Sequence, residues 1–347
     1  MLQFENTSIK ALSVHHVGNK TFEEGVLLSE ETVELNDEIL VNVLKNYYLN
    51  SFSGNEMVHF YNDVGLEQNE LYILAGRLFE QESNLTEYSK SIALQLYNAS
   101  THPKIKGGEL YVALLKDVVV DDEITDAIGI FKSESKDGFL KVDLKKNKKA
   151  IDYDEGININ KPDKGCLIMN IDKDKGYQIC IIDNLNKSTE ATYWKEDFLG
   201  VKPITNEFYQ TNQMLNLTKQ FVTKQLSEEF EVSKADQIDL LNRSVDYFKS
   251  NETFDLDDFE NTVFGDENVK KSFKKFDEEY RNENSIEMDD TFSISIPAVK
   301  KQARVFKSVL KLDKNFHIYI HGDKELIEQG IDEQGRKYYK IFYEEES

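Results

Sequence analysis

The chain has 347 residues, with 42 lysines and arginines against 64 aspartates and glutamates, so its formal net charge is −22. A molecule this acidic repels nucleic acid and anionic lipid as a whole, and any contact with phosphates has to come from local clusters of cations. A hydrophobic fraction of 39%, with 21 Phe and 17 Tyr, excludes a disordered acidic tail.

No stretch approaches the roughly 20 consecutive apolar residues that cross a bilayer, and the first residues lack the basic flank and apolar run of an export signal. We therefore expect a cytoplasmic protein that does not enter membranes. Cys166 and Cys180 are too few for a disulfide framework, and each lies in an apolar run, CLIMNI or YQICII, that predicts a buried strand. This cysteine usage is typical of a reducing compartment.

The first elements alternate between strand and helix patterns. IKALSVHHVG (9–18) and GVLLSEETVEL predict short strands, whereas 37–52 carries apolar residues at three- and four-residue spacing. Asn84 is a candidate N-cap for a second helix. The stripe on the first helix consists of Ile39, Leu40, Val43, Leu44 and Tyr47.

From Gly107 to about Gly200 the apolar residues either alternate or run continuously, and turn signals such as KDG and DKG separate the runs. This pattern predicts an antiparallel meander that packs against the preceding helices, and therefore an α+β fold. The runs are GGELYVALLKDVVV, DAIGIFKSES, GFLKVDLK, GCLIMNID and GYQICIIDNL.

Helical spacing returns after Phe198-Leu199-Gly200 and persists to about residue 284. The tail then predicts two hairpins, because VFKSVLKL and FHIYIHG flank DKN, and ELIEQGI and KYYKIFY flank DEQG. Single cores stop growing at about 250–300 residues. We accordingly predict two domains, an α+β domain over 1–200 and a helical and β-hairpin domain over 201–347.

The histidines do not suggest a metal centre. His15 and His16 are adjacent, so on a strand they point to opposite faces. His317 and His321 share a strand face, but four strand residues span about 13 Å, which is too far for one metal ion. The chain also lacks GxSxG and the glycine-rich phosphate loops. We predict no catalytic residue, no metal and no cofactor.

Two acid-x-lysine elements, Glu134-Ser135-Lys136 and Asp143-Leu144-Lys145, match the pattern by which some metal-dependent nucleases hold a cation and a lysine. At this composition about eight acid-x-base matches arise by chance. A nuclease therefore stays a minor alternative.

Two segments are basic. Residues 298–322 hold six cations against one acid, and residues 132–149 hold seven lysines against three acids. Such lysines contact phosphates without reading bases, and no helix-turn-helix or zinc-finger spacing is present, so DNA binding would be largely sequence-independent. The candidate DNA-contacting residues are Lys300, Lys301, Arg304, Lys307, Lys311, Lys314, Lys145, Lys146, Lys148 and Lys149.

A solvated face would explain either cluster without any function. Pro297 suits the first turn of a short helix, on which Lys300 and Arg304 would be neighbours. If 305–312 is a strand, Lys307 and Lys311 lie on one face of it, where lysines also protect a strand edge against aggregation.

The order of the segments resembles the bacterial nucleoid-associated proteins of the NdpA/YejK type over about residues 5–343. The resemblance rests on KALSVHHV, GGELYVALLKD, DFLGVKPITNEFYQTNQML, the helical block that ends in DEEYRNENSIEMDDTFSIS, and KKQARVFKSVLKLDKNFHIYIHG. It implies a cytoplasmic, nucleoid-localised DNA-binding protein that forms a homodimer, and it identifies no DNA-contacting residues.

A second hypothesis stays open beside DNA binding. The chain could serve as an adaptor beside a DNA-processing or phage-defence enzyme. Its acidic helical block would then bind a protein partner.

Overall fold

A computed structural model of the chain describes residues 2–52, 56–143, 150–184, 192–284, 286–303, 309–312, 316–319 and 326–343. The chain divides into two compact units, residues 1–204 and residues 205–347. Each unit has its own hydrophobic core.

Unit 1 is built on an antiparallel sheet. Its strands are β1 (Leu2–Gln3), β2 (Ser8–Val17), β3 (Val26–Leu27), β4 (Met57–Phe60), β5 (Gly108–Val120), β6 (Glu123–Ser133), β7 (Asp137–Asp143), β8 (Ala150–Gly156), β9 (Lys164–Met169), β10 (Gln178–Asp183) and β11 (Val201–Pro203). Within the described residues, nine of them form one sheet in the order β11-β4-β10-β9-β6-β5-β2-β3, and β1 also pairs with β5. The predicted α+β class and antiparallel meander are confirmed.

Helices cover both faces of this sheet. They are α1 (Glu38–Leu49), α2 (Glu70–Glu80), α3 (Leu85–Ala99) and a π-helical segment, Tyr193–Leu199. Side chains of α2, α3 and the π-helical segment pack on one face, and Tyr47, Tyr48 and Leu49 of α1 pack on the other. Strands buried on both faces read as continuous apolar runs, which explains the sequences of β5 and β9.

Residues that precede the helices determine where the helices begin. The Asp37 carboxylate accepts hydrogen bonds from the backbone N–H groups of Ile39 and Leu40, so α1 begins directly after it. The predicted stripe on this helix is only partly buried, because Ile39 is 76% exposed and burial is confined to the C-terminal end. Asn84 precedes α3 as predicted, although its side chain does not cap the helix.

Unit 2 is mainly helical. Its helices are α4 (Glu207–Gln220), which continues through a π-helical turn (Phe221–Gln225) into α5 (Leu226–Glu229), then α6 (Lys234–Ser250), α7 (Leu256–Val263), α8 (Glu267–Glu283) and α9 (Ile296–Ala303). Its strands are β12 (Thr253–Asp255), β13 (Thr291–Ser293), β14 (Val309–Leu312), β15 (Phe316–Tyr319), β16 (Ile327–Ile331) and β17 (Lys337–Ile341). Phenylalanines dominate the core, among them Phe221, Phe248, Phe254, Phe259 and Phe273.

The two predicted C-terminal hairpins are present as β14–β15 and β16–β17. Leu312 and Ile318 of the first hairpin and Ile327 and Tyr339 of the second pack on Ile238 of α6. The hairpins are thus attached to the helical part of their unit by a small apolar cluster.

Candidate nucleic-acid interface

In unit 2, Lys300 and Lys301 lie on the last turn of α9. The helix has Pro297 in its first turn, as predicted, and it buries Ala298 and Val299 while both lysines are exposed. Cations are favourable at a helix C-terminus because of the helix dipole. The Lys301 Nζ lies 5.7 Å from the centroid of the Phe208 ring, within reach of a cation–π contact.

The other predicted residues of this cluster are only partly accounted for. Lys311 lies in β14, with His317 as its cross-strand partner. Its side chain lies outside the described part of the structure, as do Arg304, Lys307 and Lys314 in full. The structure therefore brings two of the six candidates, Lys300 and Lys301, together on one helix turn.

The second predicted cluster belongs to a hairpin of unit 1. β7 pairs with β8 from Asp137 opposite Gly156 to Asp143 opposite Ala150, as a two-stranded sheet separate from the meander. GFLKVDLK contains a strand, as predicted, but the prediction that this strand belongs to the meander is wrong. The candidate residues Lys145, Lys146, Lys148 and Lys149 belong to the connecting sequence 144–149, which lies outside the described residues.

Three further lysines that sequence counting assigned to this cluster are paired with acids. The Lys132 Nζ donates to the Lys106 carbonyl oxygen at 2.8 Å and lies 3.1 Å from a Glu134 oxygen. Lys136 pairs with Glu109 at 2.9 Å, and Lys141 pairs with Asp154. The sequence count of +4 for 132–149 thus overstates the charge that this segment offers to a ligand.

Lys132 and Lys164 lie directly opposite each other on β6 and β9, and both are completely buried. The Lys164 Nζ lies 2.6 Å from an Asp183 oxygen. The Tyr193 ring lies 5.8 Å from the Lys132 Nζ and 5.3 Å from the Lys164 Nζ. Two buried ammonium groups thus meet two carboxylates and one aromatic face, which is the pairing that buried charges require.

Burial governs protonation in this cluster. Burial lowers the pKa of Lys132, and the nearby Glu134 carboxylate opposes that effect. Burial also raises the pKa of Tyr193, so its hydroxyl stays protonated and donates to Glu134 at 3.0 Å. We call this set the root cluster: Lys132, Glu134, Lys164, Asp183 and Tyr193.

The root cluster lies where the β7–β8 hairpin leaves the main sheet. β6 ends at Ser133 shortly before β7, and β9 begins at Lys164 shortly after β8. The Asp163 carboxylate accepts hydrogen bonds from the backbone N–H groups of Glu134 at 2.6 Å and Ser135 at 2.8 Å. The hairpin is therefore fixed at its base by the buried root cluster and by the more exposed Asp163 contacts. Sequence inspection missed this cluster, whose only signal is a lysine at one end of each apolar strand.

Unit 2 also carries an acidic groove of about 470 Å³. The Arg281 guanidinium spans it, with its Nε 2.8 Å from Asp277 and its Nη1 3.2 Å from Asp290. Burial raises the pKa of Asp277, and Arg281 opposes that effect. The charged lining residues are Asp255, Asp257, Lys274, Asp277, Glu278, Arg281 and Asp290.

In the described part of the chain, no three His, Cys, Asp or Glu side chains are arranged to hold a metal ion. None of the helices described here is both long enough and apolar enough to span a membrane.

An α+β unit followed by a helical unit with two terminal hairpins is the order of elements that the sequence patterns predict. A family model described as "Nucleoid-associated protein YejK" matches residues 13–347, nearly the whole chain, and the protein belongs to that family. A search of curated proteins finds no match to the chain.

Proposed function

We propose that the protein is a non-catalytic, nucleoid-associated protein of the bacterial cytoplasm that forms a homodimer and binds DNA through its local lysine clusters. The observation that carries the proposal is the exposure of Lys300 and Lys301 at the end of α9, inside a segment with six cations and one acid. Family membership supports the same function.

The geometry favours contacts to the DNA backbone. Free N–H groups, which would bind phosphate directly, lie at the N-terminus of a helix, whereas Lys300 and Lys301 lie at the C-terminal end. The lysine side chains would therefore make the contacts alone, as flexible point charges. Such contacts position DNA without reading its sequence, so binding would be largely sequence-independent and strongly dependent on salt.

A charge-reversal variant tests the proposal. Lys300, Lys301, Arg304 and Lys307 are changed together to Glu, and duplexes of unrelated sequence are titrated by fluorescence anisotropy at about 50 and 200 mM salt. We expect the wild type to bind unrelated duplexes alike, with affinity that falls steeply as salt rises, and the variant to lose binding.

The matched control reverses four exposed lysines elsewhere in unit 2: Lys224, Lys234, Lys249 and Lys271. Both variants make the chain more negative by the same amount. Equal loss of binding in both would show that net charge, and not the cluster, governs binding. Absence of wild-type binding at low salt would contradict the proposal, and DNA cleavage in the presence of Mg²⁺ or Mn²⁺ would contradict its non-catalytic part.

The acidic groove favours a second candidate, an adaptor that binds a basic protein partner beside a DNA-processing or phage-defence enzyme. Of its charged lining residues, five are acids and two are basic. Such a groove complements a cationic peptide and repels DNA. The same titration separates the two functions, because an adaptor of this kind has no DNA affinity at low salt.

A further inference from the structure

The last hairpin of unit 2, β16–β17, uses one of its two faces for packing. Ile327 and Tyr339 of this hairpin contact Ile238 of α6. Ile327 lies opposite Ile341, and Tyr339 lies opposite Gln329, so these four residues share one face of the two-stranded sheet. The other face of the hairpin therefore points away from α6.

The outer face carries two aromatic rings with a lysine between them. Tyr338 and Lys340 flank Tyr339 along β17, so they point to the side opposite to it. The Lys340 Nζ lies 4.4 Å from the centroid of the Phe342 ring, which places these two side chains on the same side. The backbone N–H of Phe342 donates to the Leu326 carbonyl oxygen at 2.8 Å, so the strand pairing extends to this residue. We call Tyr338, Lys340 and Phe342 the ring platform.

The Tyr338 ring lies across the partner strand. Its cross-strand partner is Gly330, and a Cβ atom at Gly330 would lie 2.5 Å from the ring carbon Cζ. The ring thus occupies the space that a side chain at Gly330 would need, and it rests against the sheet. Tyr338 is nevertheless 47% exposed, and Phe342 is 39% exposed. The platform therefore holds two rings in place with part of each open to solvent.

Exposed rings beside a cation are the means by which proteins hold unpaired nucleic-acid bases, because every base has an aromatic face. Tyr338 and Phe342 are four residues apart, about 13 Å along an extended strand, so each ring can take a different base. The bases of a duplex stack on one another and present only their edges in the grooves. The outer face is therefore suited to a single strand and not to a double helix.

We propose that the ring platform binds single-stranded DNA, with unpaired bases stacked on Tyr338 and Phe342 and the Lys340 ammonium on a phosphate between them. This inference rests on the DNA binding of the proposed function, and it adds the form of DNA that unit 2 takes beside the backbone contacts of α9.

The hairpin sequence is balanced in charge, since residues 326–343 contain three cations and three acids. The Lys340 Nζ lies 3.5 Å from a Glu328 oxygen, and both side chains are more than half exposed, so water screens this pair and a phosphate can replace the carboxylate. Stacking then supplies most of the affinity at this face. Stacking releases no counterions, so its contribution should not depend on salt as the lysine contacts of α9 do.

The test is Tyr338→Ala in the full-length protein. A fluorescein-labelled oligothymidylate of about 15 nucleotides and a duplex of the same length are titrated at about 50 and 200 mM salt. We expect affinity for the oligothymidylate to fall at least about 5-fold, and by the same factor at both salt concentrations, because a stacked base is lost and no charge is removed. Tyr338→Phe keeps the ring and is expected to bind like the wild type.

The matched control is Tyr153→Ala in the β7–β8 hairpin of unit 1. Tyr153 is 65% exposed, and its ring lies against Gly138 much as the Tyr338 ring lies against its own glycine. Its described neighbours on the same face are apolar: Leu140, Val142 and Ile151. We expect Tyr153→Ala to leave the affinity for the oligothymidylate unchanged.

A direct signal keeps the proposal testable if Tyr338→Ala disturbs the hairpin. Trp194 is the single tryptophan of the chain and is completely buried, so Tyr338→Trp introduces the one exposed indole. Stacking on a base is expected to quench its fluorescence when the oligothymidylate is added. Unchanged emission at a saturating concentration of bound oligothymidylate would contradict stacking at this position.

The role of Lys340 has its own test. Glu328→Gln frees Lys340 from its carboxylate partner, and we expect it to raise the affinity for the oligothymidylate about 2-fold or more. Glu228→Gln removes the same charge from an exposed position on α5 and is the control. Equal affinities in the two variants would overturn the phosphate contact of Lys340.

The outcomes separate this proposal from the proposed function. A chain that binds neither the duplex nor the oligothymidylate overturns DNA binding and, with it, the platform. Binding of the oligothymidylate that Tyr338→Ala leaves unchanged, or that Tyr153→Ala weakens equally, overturns the platform alone. Binding of the oligothymidylate that Tyr338→Ala weakens supports the platform, whether or not the duplex binds.

Discussion

Two lysine-rich segments look alike in the sequence and differ in those of their residues that the structure describes. Residues 132–149 and 298–322 carry +4 and +5 by counting. In the first, Lys132 is completely buried and bonded to Glu134, whereas in the second, Lys300 and Lys301 are exposed on a helix turn. Charge counted along a chain therefore does not measure the charge available to a ligand, because register and burial decide which cations remain at the surface.

The strongest test of this contrast is Lys132→Met. The substitution leaves the Glu134 carboxylate buried without its ammonium partner, and breaking a buried pair in this way costs about 3–5 kcal/mol of unfolding free energy. Trp194 is the single tryptophan of the chain and is completely buried in unit 1. Its fluorescence during urea unfolding therefore reports the loss.

Lys141→Met is the matched control for Lys132→Met, because it removes a lysine of the same segment from a pair with Asp154 that is exposed on both sides. Such surface pairs contribute little to the free energy of unfolding, because water screens both charges. Equal urea midpoints for the two variants would show that the root cluster does not stabilise the unit.

The second test concerns the exposed pair on α9. Lys300→Ala together with Lys301→Ala is expected to leave the urea midpoint almost unchanged, because neither side chain belongs to the core. If each lysine contacts one phosphate, the slope of log affinity against log salt becomes shallower by about 2 units.

The control for this pair is Lys224→Ala with Lys234→Ala, two exposed lysines on other helical turns of unit 2. If the slope of log affinity against log salt is unchanged in the α9 variant, or changes equally in the control, Lys300 and Lys301 do not contact DNA.

The sequence predicted the strands and helices well because local periodicity and caps determine them. His15 and His16 illustrate this, since adjacent residues on a strand must point to opposite faces. His15 is buried, with its Nε2 2.9 Å from the Ser89 hydroxyl oxygen, while His16 is partly exposed. A buried strand that runs continuously apolar, such as β9, was equally recognisable.

Long-range pairing was not predictable from the same signals. The alternation in GFLKVDLK is identical for a strand of a large sheet and for a strand of a separate hairpin, because only its partner differs. The burial of Lys164 depends on Asp183, which the register of β9 and β10 places directly opposite it. Nothing in the local sequence of Lys164 indicates that partner.

The prediction with the smallest expected change in stability concerns a buried carboxylate that is only incompletely paired. Glu260 of α7 is 2% exposed, and one of its oxygens lies 3.3 Å from the Lys274 Nζ. Within the described structure its Oε1 has no hydrogen-bond partner. Burial raises the pKa of Glu260, and the Lys274 ammonium opposes that effect only in part. Unlike Glu134 in the root cluster, this carboxylate is expected to destabilise its unit at neutral pH.

The sign of the pH dependence follows from that shift. A carboxyl group whose pKa is higher in the folded state than its ordinary value of 4.5 binds more protons when folded, so stability falls as pH rises from about 4.5 through the folded pKa. Glu260→Gln removes this dependence and should stabilise unit 2 at pH 7 by about 1 kcal/mol, the cost of one incompletely paired buried group. The gain should disappear below about pH 4, where the wild-type carboxyl group is protonated in both states.

Urea unfolding followed by circular dichroism at pH 7 and pH 4 measures the Glu260→Gln effect, because unit 2 is mainly helical. Glu267→Gln is the control. Glu267 is an exposed carboxylate of α8 whose pKa Lys270 lowers, so its substitution should change the pH dependence in the opposite direction. If Glu260→Gln destabilises unit 2 at pH 7, the bond to Lys274 outweighs the burial of the charge. The Glu260–Lys274 pair would then stabilise its unit, as the root cluster is expected to do. Whether a buried carboxylate is completely or incompletely paired would then not decide its effect on stability.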